Sequence, residues 1–259
     1  MSEDSVRVEV DRRGVATVNL NRPDKSNAMS PAMITLLGEQ LASLEADGRV
    51  RVIALRAAGR HFCAGADVSG TAESNAAGHA ALTITELCAR LDRLAKPVIG
   101  VVQGACVGGG VALAACCDIV IAAGDAFFAV SEVRLGFAPA PLMPFFVRAL
   151  GTRAARRYVL TGERMSATEA LRIGFVHRVE AREGLDAALA AVADDLLLGA
   201  PSGIADAKAL IAEADGAPIT DAILQALEAR FEQAHASAEA KEGIASFREK
   251  RCPSWYPAP

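Results

Sequence analysis

Apolar and polar residues alternate through VRVEV (6–10) and VATVNL (15–20) on either side of the turn-like DRRG (11–14). This pattern predicts a β-hairpin whose strands each bury one face. The period then changes. Ser30 followed by Pro31 is a helix start, because the serine side chain can cap free amides and the proline ring presets a helical φ. Met33, Leu36, Leu37, Gln40, Leu41 and Leu44 recur at helical spacing after it, which predicts a helix over 31–46. VRVIALRA (50–57) is an almost unbroken apolar run of strand length and predicts a buried strand. RHFCAGADVSG (60–70) breaks regular structure and leads into TAESNAAGHA (71–80), whose small residues predict a mobile loop. Helical spacing resumes around 80–94. Two further strands, PVIGVVQG and DIVIAA, are separated by the glycine-rich GACVGGG and a short helix. From about residue 139 helical periodicity dominates, in ALGTRAARRYVL, SATEALRIG, 183–199 and the tail 219–250.

Strands alternating with helices, followed by helices alone, make this an α/β chain. At 259 residues it is long enough to bury one core without disulfides or a metal. The six cysteines, Cys63, Cys88, Cys106, Cys116, Cys117 and Cys252, lack C-x-x-C spacing and are expected to be reduced thiols. No apolar run approaches the roughly 18 residues of a membrane span, and MSEDSVRVEVDRRG is unlike a secretory or transit segment. The expectation is a soluble cytoplasmic protein with no membrane partner. A net charge of −4 and 5% aromatic residues leave no footprint for nucleic acid. In the tail, Ile223, Leu227, Phe231, Ile244 and Phe247 need a cover that terminal helices do not supply, which points to subunit contacts.

Candidate chemistry sits in two turns. CAGAD follows the strand VRVIALRA and VGGG follows PVIGVVQG. Small residues in such turns let a ligand approach main-chain N–H groups, and the helix after VGGG adds the positive end of its dipole. Two converging amides can hold a developing oxyanion, and losing one such donor costs about 2.7–4 kcal/mol of transition-state stabilisation. Taken singly, each turn has a plainer reading. CAGAD is equally a turn whose glycine relieves backbone strain. The GGG run imitates a dinucleotide fingerprint, but Leu113 takes the third glycine's place and the following helix is short for a crossover.

Together with their flanks these segments resemble the enoyl-CoA hydratase/isomerase (crotonase) family, in NRPDKSNAMS, HFCAGADV, GACVGGG, DIVIA, SEVRLG and FREKRCPSW. The resemblance spans almost the whole chain. It implies an α/β fold, a crotonase-like spiral of repeated ββα units over 1–200, with a helical trimerisation region over 201–259. The implied assembly is a homotrimer or a hexamer built as a dimer of trimers. The implied partner is an acyl-CoA thioester substrate, with coenzyme A part of the substrate and no separate cofactor or metal. Carried over by position, the amides of Ala66 and Gly109 form the oxyanion hole, and Ala28, Ala64, Asp67 and Val68 line the CoA site. Glu132 aligns with the family's second catalytic glutamate and is the candidate general acid/base.

Two departures matter. Where two-glutamate hydratases carry their other carboxylate, this chain has Ala112. With two carboxylates an enzyme can position water and return a proton; with one it can still activate a single water or move a proton between carbons. The run SEVRLGFAPAPLMPFFVRALG resembles a subgroup associated with branched or carboxylated enoyl-CoAs, such as methylglutaconyl-CoA. The expectations are a hydratase first, a Δ3,Δ2-enoyl-CoA isomerase second, and a silent acyl-CoA binder third.

Plainer roles remain for several residues. Glu132 is also readable as a solvated carboxylate near Arg134, the common fate of a glutamate. His61 and Cys63 are expected to be structural, and His177 and His235 lack partners at metal-ligand spacing. Arg22, Lys25 and Lys250 are candidates for meeting CoA phosphates, although scattered surface cations usually do nothing specific.

Overall fold

A computed structural model of the chain describes residues 5–67 and 82–257. The hairpin forms as its alternation predicts. Strands β1 (Val6–Val10) and β2 (Val15–Leu20) pair antiparallel with Val6 opposite Leu20 and Val10 opposite Ala16. The Asp11 carboxylate fastens the turn by accepting from the amides of Arg13 at 2.9 Å and Val15 at 2.8 Å. The further strands are β3 (Val52–Ala57), β4 (Val98–Val102), β5 (Ala105–Val107), β6 (Ile119–Ala123), β7 (Phe127–Ala129), β8 (Met165–Ser166) and β9 (Arg178–Glu180). A six-stranded sheet runs β1-β2-β3-β4-β6-β9, parallel from β2 onward, and a three-stranded sheet runs β5-β7-β8.

The helices are α1 (Pro31–Ala46), α2 (Ile84–Arg93), α3 (Gly109–Ala115), α4 (Met143–Thr161), α5 (Ala167–Arg172), α6 (Leu185–Leu198), α7 (Pro201–Ala214), α8 (Asp221–His235) and α9 (Ala238–Glu249). Parallel neighbours need a crossover, and each crossover here visits the second sheet before its helix. The chain runs β4, β5, α3 and then β6, β7, α4. In the earlier turns single bridges stand in for the second strand, Met29 beside Ala66 and Cys63 beside Cys106. The result is the spiral of ββα units that the resemblance implies.

Helix α1 has the predicted bounds, with the Ser30 hydroxyl accepting from the Met33 amide. Helix α2 opens with a capping box between Thr83 and Glu86. One face of the six-stranded sheet is covered by Leu37 and Leu41 of α1, Leu87 and Leu91 of α2, and Phe146 of α4. The other face takes Leu185, Leu189 and Leu197 of α6 against Val52, Ile99 and Ile121. Each such side chain contributes about 1.5–3 kcal/mol by leaving water, so the two apolar layers fix where the strand ends, and hence the turns, lie.

Two features differ from the periodicity. Strands β8 and β9 interrupt the stretch that reads as wholly helical, being only 2 and 3 residues long. Pieces that short show no alternation, and their pairing is set by the open edges of β7 and β6. Helix α4 also breaks at Gly151, where φ is 70° and ψ 153°. Among the described residues no single helix is long and apolar enough to cross a membrane.

Candidate active site

The loop NRPDKSNAMS sets one wall of the site. After a 3-10 turn at Pro23–Lys25, Ser26 and Asn27 take left-handed backbone at φ 50° and 55°. Asparagine tolerates that conformation better than most residues. The Asn27 side chain is fully buried and satisfied: its Nδ2 donates to the carbonyls of Ala58 (2.9 Å) and His61 (2.8 Å), and its Oδ1 accepts from the Arg22 amide (2.7 Å). The loop is thereby pinned against the 58–61 segment, and Met29 is delivered to the CAGAD turn. There the Met29 amide donates to Gly65 O at 2.8 Å and the Asp67 amide to Met29 O at 3.0 Å.

This parallel bridge skips the amide of Ala66, which lies between its two hydrogen bonds. On the other flank the Cys63 amide donates to Ala105 O (3.1 Å) and the Val107 amide to Cys63 O (2.8 Å), so CAGAD is clamped between Met29 and β5. Strand β5 is followed by Gly108, at φ 54°, whose amide donates to Ala129 O at 2.8 Å. Gly109 opens α3, and a first helical residue has no carbonyl within its helix to bond. Among the described residues no hydrogen bond engages the Ala66 or the Gly109 amide.

The two turns touch. A Cβ on Gly65 would lie 3.9 Å from Gly108 Cα, and one on Gly110 would lie 2.8 Å from the Cys63 carbonyl oxygen. Glycine at 110 is therefore a packing requirement, since the backbone it would strike cannot swing aside.

Glu132 follows β7 and begins a 3-10 turn, Glu132–Leu135, that Gly136 closes at φ 90°. Its carboxylate stands over the VGGG turn: a Cβ on Gly108 would lie 2.7 Å from Glu132 Oε1. Oε2 is buried and has no hydrogen-bond partner among the described residues. Burial holds the carboxyl above the usual glutamate range, offset in part by the amides of Glu132 itself and Ser131. Arg134 does not neutralise it; its Nε and Nη2 donate to Thr161 O at 3.3 and 3.2 Å.

A cavity of about 470 Å³ opens in front of these groups. Ala64, Ala66, Gly109 and Glu132 line it, so four of the sequence-derived site residues are brought together. Ala28 and Asp67 are not among its lining residues. The Ala28 carbonyl accepts from Arg22 Nη1 at 2.6 Å, and Asp67 pairs with Arg22 Nη2 at 2.8 Å. Arg22 is thus committed to holding the turn. Val68 lies outside the described residues, as does the stretch expected to be a mobile loop. Lys25 and Lys250 are exposed.

Ala112 is fully buried in the main core and does not line the cavity. His61 Nδ1 accepts from the Ala105 amide at 3.0 Å and His177 Nδ1 from the Val120 amide at 3.0 Å, both structural duties. The Cys63 thiol is pushed up to about 12 by burial, which removes it as a nucleophile at neutral pH.

Sequence reasoning did not single out Asn27, Met29, Ile84 or Phe137. Asn27 carries a faint signal, an asparagine after Ser26 where the chain must turn. The other three are apolar residues whose place at the cavity depends on contacts across the spiral. A larger groove of about 720 Å³ lies between α7, α8 and α9. Its Arg230 is already paired with Asp206 and Glu213, and the groove shares no lining residue with the cavity at the two turns.

The chain matches the model of the enoyl-CoA hydratase/isomerase family over residues 11–257. A putative enoyl-CoA hydratase of Thermus thermophilus is 33% identical over 251 residues, covering 95% of this chain and 99% of that protein. Among solved structures, an enoyl-CoA hydratase from Shewanella pealeana superposes with a TM-score of 0.90 at 36% identity, covering 97% of this chain and 96% of that one. AtuE of Pseudomonas aeruginosa superposes with a TM-score of 0.90 at 37% identity, covering 97% and 99%.

Proposed function

This chain belongs to the enoyl-CoA hydratase/isomerase family, and from that premise we propose that it adds water to a 2-enoyl-CoA. The observation that carries the proposal is the unpartnered Glu132 carboxylate beside two amides that have no hydrogen-bond partner among the described residues. The thioester carbonyl oxygen takes the Ala66 and Gly109 amides, which draws electron density from the double bond and leaves the β carbon electrophilic. Glu132, as carboxylate, accepts a proton from the water that attacks the β carbon. An enolate forms, held by the same two amides. The proton then passes from Glu132 to the α carbon, giving a 3-hydroxyacyl-CoA with no net proton consumed. Coenzyme A enters only as part of the substrate. Ala64 lies at the CoA end of the cavity in this reading, and Ala28 and Asp67, joined through Arg22, back the turn that carries it.

The raised proton affinity of Glu132 suits both halves of this cycle, since a base that is too weak cannot take the proton and one that is too strong cannot return it. One observation favours a second reading. Glu132 is the single carboxylate lining the cavity among the described residues, and moving a proton from the α carbon to the γ carbon through a dienolate needs only one base. That reaction isomerises a 3-enoyl-CoA to the 2-enoyl form.

Ultraviolet absorbance separates the two. Loss of the enoyl-thioester band from a 2-enoyl-CoA supports hydration, and a gain from a 3-enoyl-CoA supports isomerisation. Neither change, with acyl-CoA still bound, leaves a silent binder. We further propose self-association into a trimer or a dimer of trimers, supported by the exposed Leu224, Phe231 and Phe247 of α8 and α9; sedimentation equilibrium tests it.

A further inference from the structure

The cavity wall away from the two turns is made of Ile34, Ile84, Leu135, Phe137, Pro141 and Leu142. Among the described lining residues Glu132 is the sole ionisable group, and no lysine, arginine or histidine reaches the cavity. Of the arginines in the flanking segments, Arg22 pairs with Asp67 and donates to Ala28 O, Arg148 pairs with Asp92, and Arg134 donates to Thr161 O. Residues 68–81, outside the described part, contain neither lysine nor arginine; their ionisable side chains are Glu73 and His79.

A carboxylate on the acyl tail would meet hydrocarbon on one side and the Glu132 carboxylate on the other. Removing an ionised group from water without a partner is among the largest unfavourable terms in recognition, and a like charge adds to it. An uncharged branched or straight tail instead gains from every methylene it buries against this wall. Leu135 and Phe137, 66% and 56% exposed, continue the apolar surface out to the cavity mouth, where a longer tail can lie.

We propose that this chain selects acyl-CoA thioesters with uncharged hydrocarbon tails and rejects those ending in a carboxylate, with Leu135 and Phe137 as specificity-determining residues at the rim. The inference rests on reading the cavity as the acyl-CoA site. It runs against the carboxylated substrates that the subgroup resemblance implies, because selecting one would require a cation that the described lining does not supply.

The test is calorimetric titration of the full-length protein with two saturated esters that cannot turn over, glutaryl-CoA and 5-methylhexanoyl-CoA, with free coenzyme A as reference. Their tails differ only in exchanging a carboxylate for an isopropyl group. The expected result is Kd at least about thirtyfold lower for 5-methylhexanoyl-CoA at pH 7.5, with glutaryl-CoA no tighter than coenzyme A. Leu135→Arg, which places a cation on an exposed rim position, narrows the gap to within about threefold; Phe137→Lys serves as the second variant if the first does not fold. Equal binding of the two esters, or tighter glutaryl-CoA, overturns the charge selection and leaves the site assignment standing. Failure of all three ligands to bind overturns the acyl-CoA reading itself.

Discussion

The two turns and the C-terminal helices are built on opposite terms. Around Gly65, Gly108 and Gly110 the backbone is so closely approached that an added methyl group would fall within 3.2 Å of a neighbouring atom at each position. In α7 and α8 no residue is buried, and Leu224 and Phe231 of α8 are exposed, as is Ile219 in the link between them. The described part of the first region is held by one chain, its free main-chain amides fixed by the clamps from Met29, β5 and β7. The second has an apolar pattern that one chain leaves uncovered. The proposed chemistry therefore depends on backbone fit, while the tail tolerates side-chain change unless something outside the chain reads it.

The comparison is broken most sharply at Glu132 and Gly108. Glu132→Gln keeps the shape and removes the base, and activity on the turned-over enoyl-CoA is expected to fall by about 10²–10⁴. Gly108→Ala is expected to lose activity to a similar degree for a different reason. Its Cβ would lie 2.7 Å from Glu132 Oε1 in a left-handed backbone that L residues rarely adopt, so the carboxylate must move. Steady-state kcat separates these from a binding defect, since KM for the CoA ester should change little in either variant. Unchanged turnover in Glu132→Gln would remove it from both proposed reactions.

Next in size is stability at the loop that feeds the turns. Asn27→Ala removes three hydrogen bonds from a buried site and leaves an alanine at φ 55°, an expected loss of about 2–4 kcal/mol by urea denaturation. Gly110→Ala belongs beside it, because the added methyl meets the Cys63 carbonyl. If Asn27→Ala is instead neutral, the Arg22–Asp67 pair and the loop's main-chain bonds to the CAGAD turn suffice to hold it.

A smaller effect follows from the raised affinity of Glu132 for its proton. The folded chain holds this proton at pH values where the unfolded chain, with an ordinary glutamate value of 4.5, has released it. Folding stability therefore falls as pH rises from 4.5 through the higher folded-state value, and the penalty stays constant above it. Glu132→Gln should accordingly be more stable than wild type at pH 8 and show no such advantage at pH 4.5, measured by denaturation at both. The same displacement moves the acid limb of the pH–rate profile upward, since the base form is lost at a higher pH than for an ordinary glutamate. Equal stability at both pH values would mean that the carboxylate is solvated.

Much of the fold can be read from period alone. The β1–β2 hairpin, α1 and the strands β3, β4 and β6 each carry either an alternation or a cap with a long apolar run, signals that survive without tertiary context. The strands β8 and β9 do not, because two or three residues express no period. At the site, the small residues of CAGAD and VGGG mark two turns locally, but the choice of Ala66, Gly109 and Glu132 comes from the family resemblance and not from local pattern. Asp67 and Arg22 are also conspicuous in the sequence, but which charge meets which is decided by the left-handed turn at Ser26 and Asn27. The cavity wall is the least legible part. Ile84 and Phe137 resemble any core residue until the spiral brings α2 and the segment after Gly136 to the same opening.

The smallest expected effect sharpens the comparison from the other side. Phe247 is 85% exposed and Ile219 is 86% exposed, so Phe247→Ser and Ile219→Ser should each change the folding stability of the dissociated chain by under about 0.5 kcal/mol. By contrast Leu37→Ala, in the core beneath α1, should lose about 2–5 kcal/mol. Denaturation at low and high protein concentration distinguishes where the tail's apolar residues act. If they serve self-association, wild type gains stability with concentration and the serine variants gain less, because a partner that binds only the folded chain stabilises it by mass action. A large loss in the serine variants that is independent of concentration would mean that the tail packs within its own chain, and the contrast between the two regions would fall.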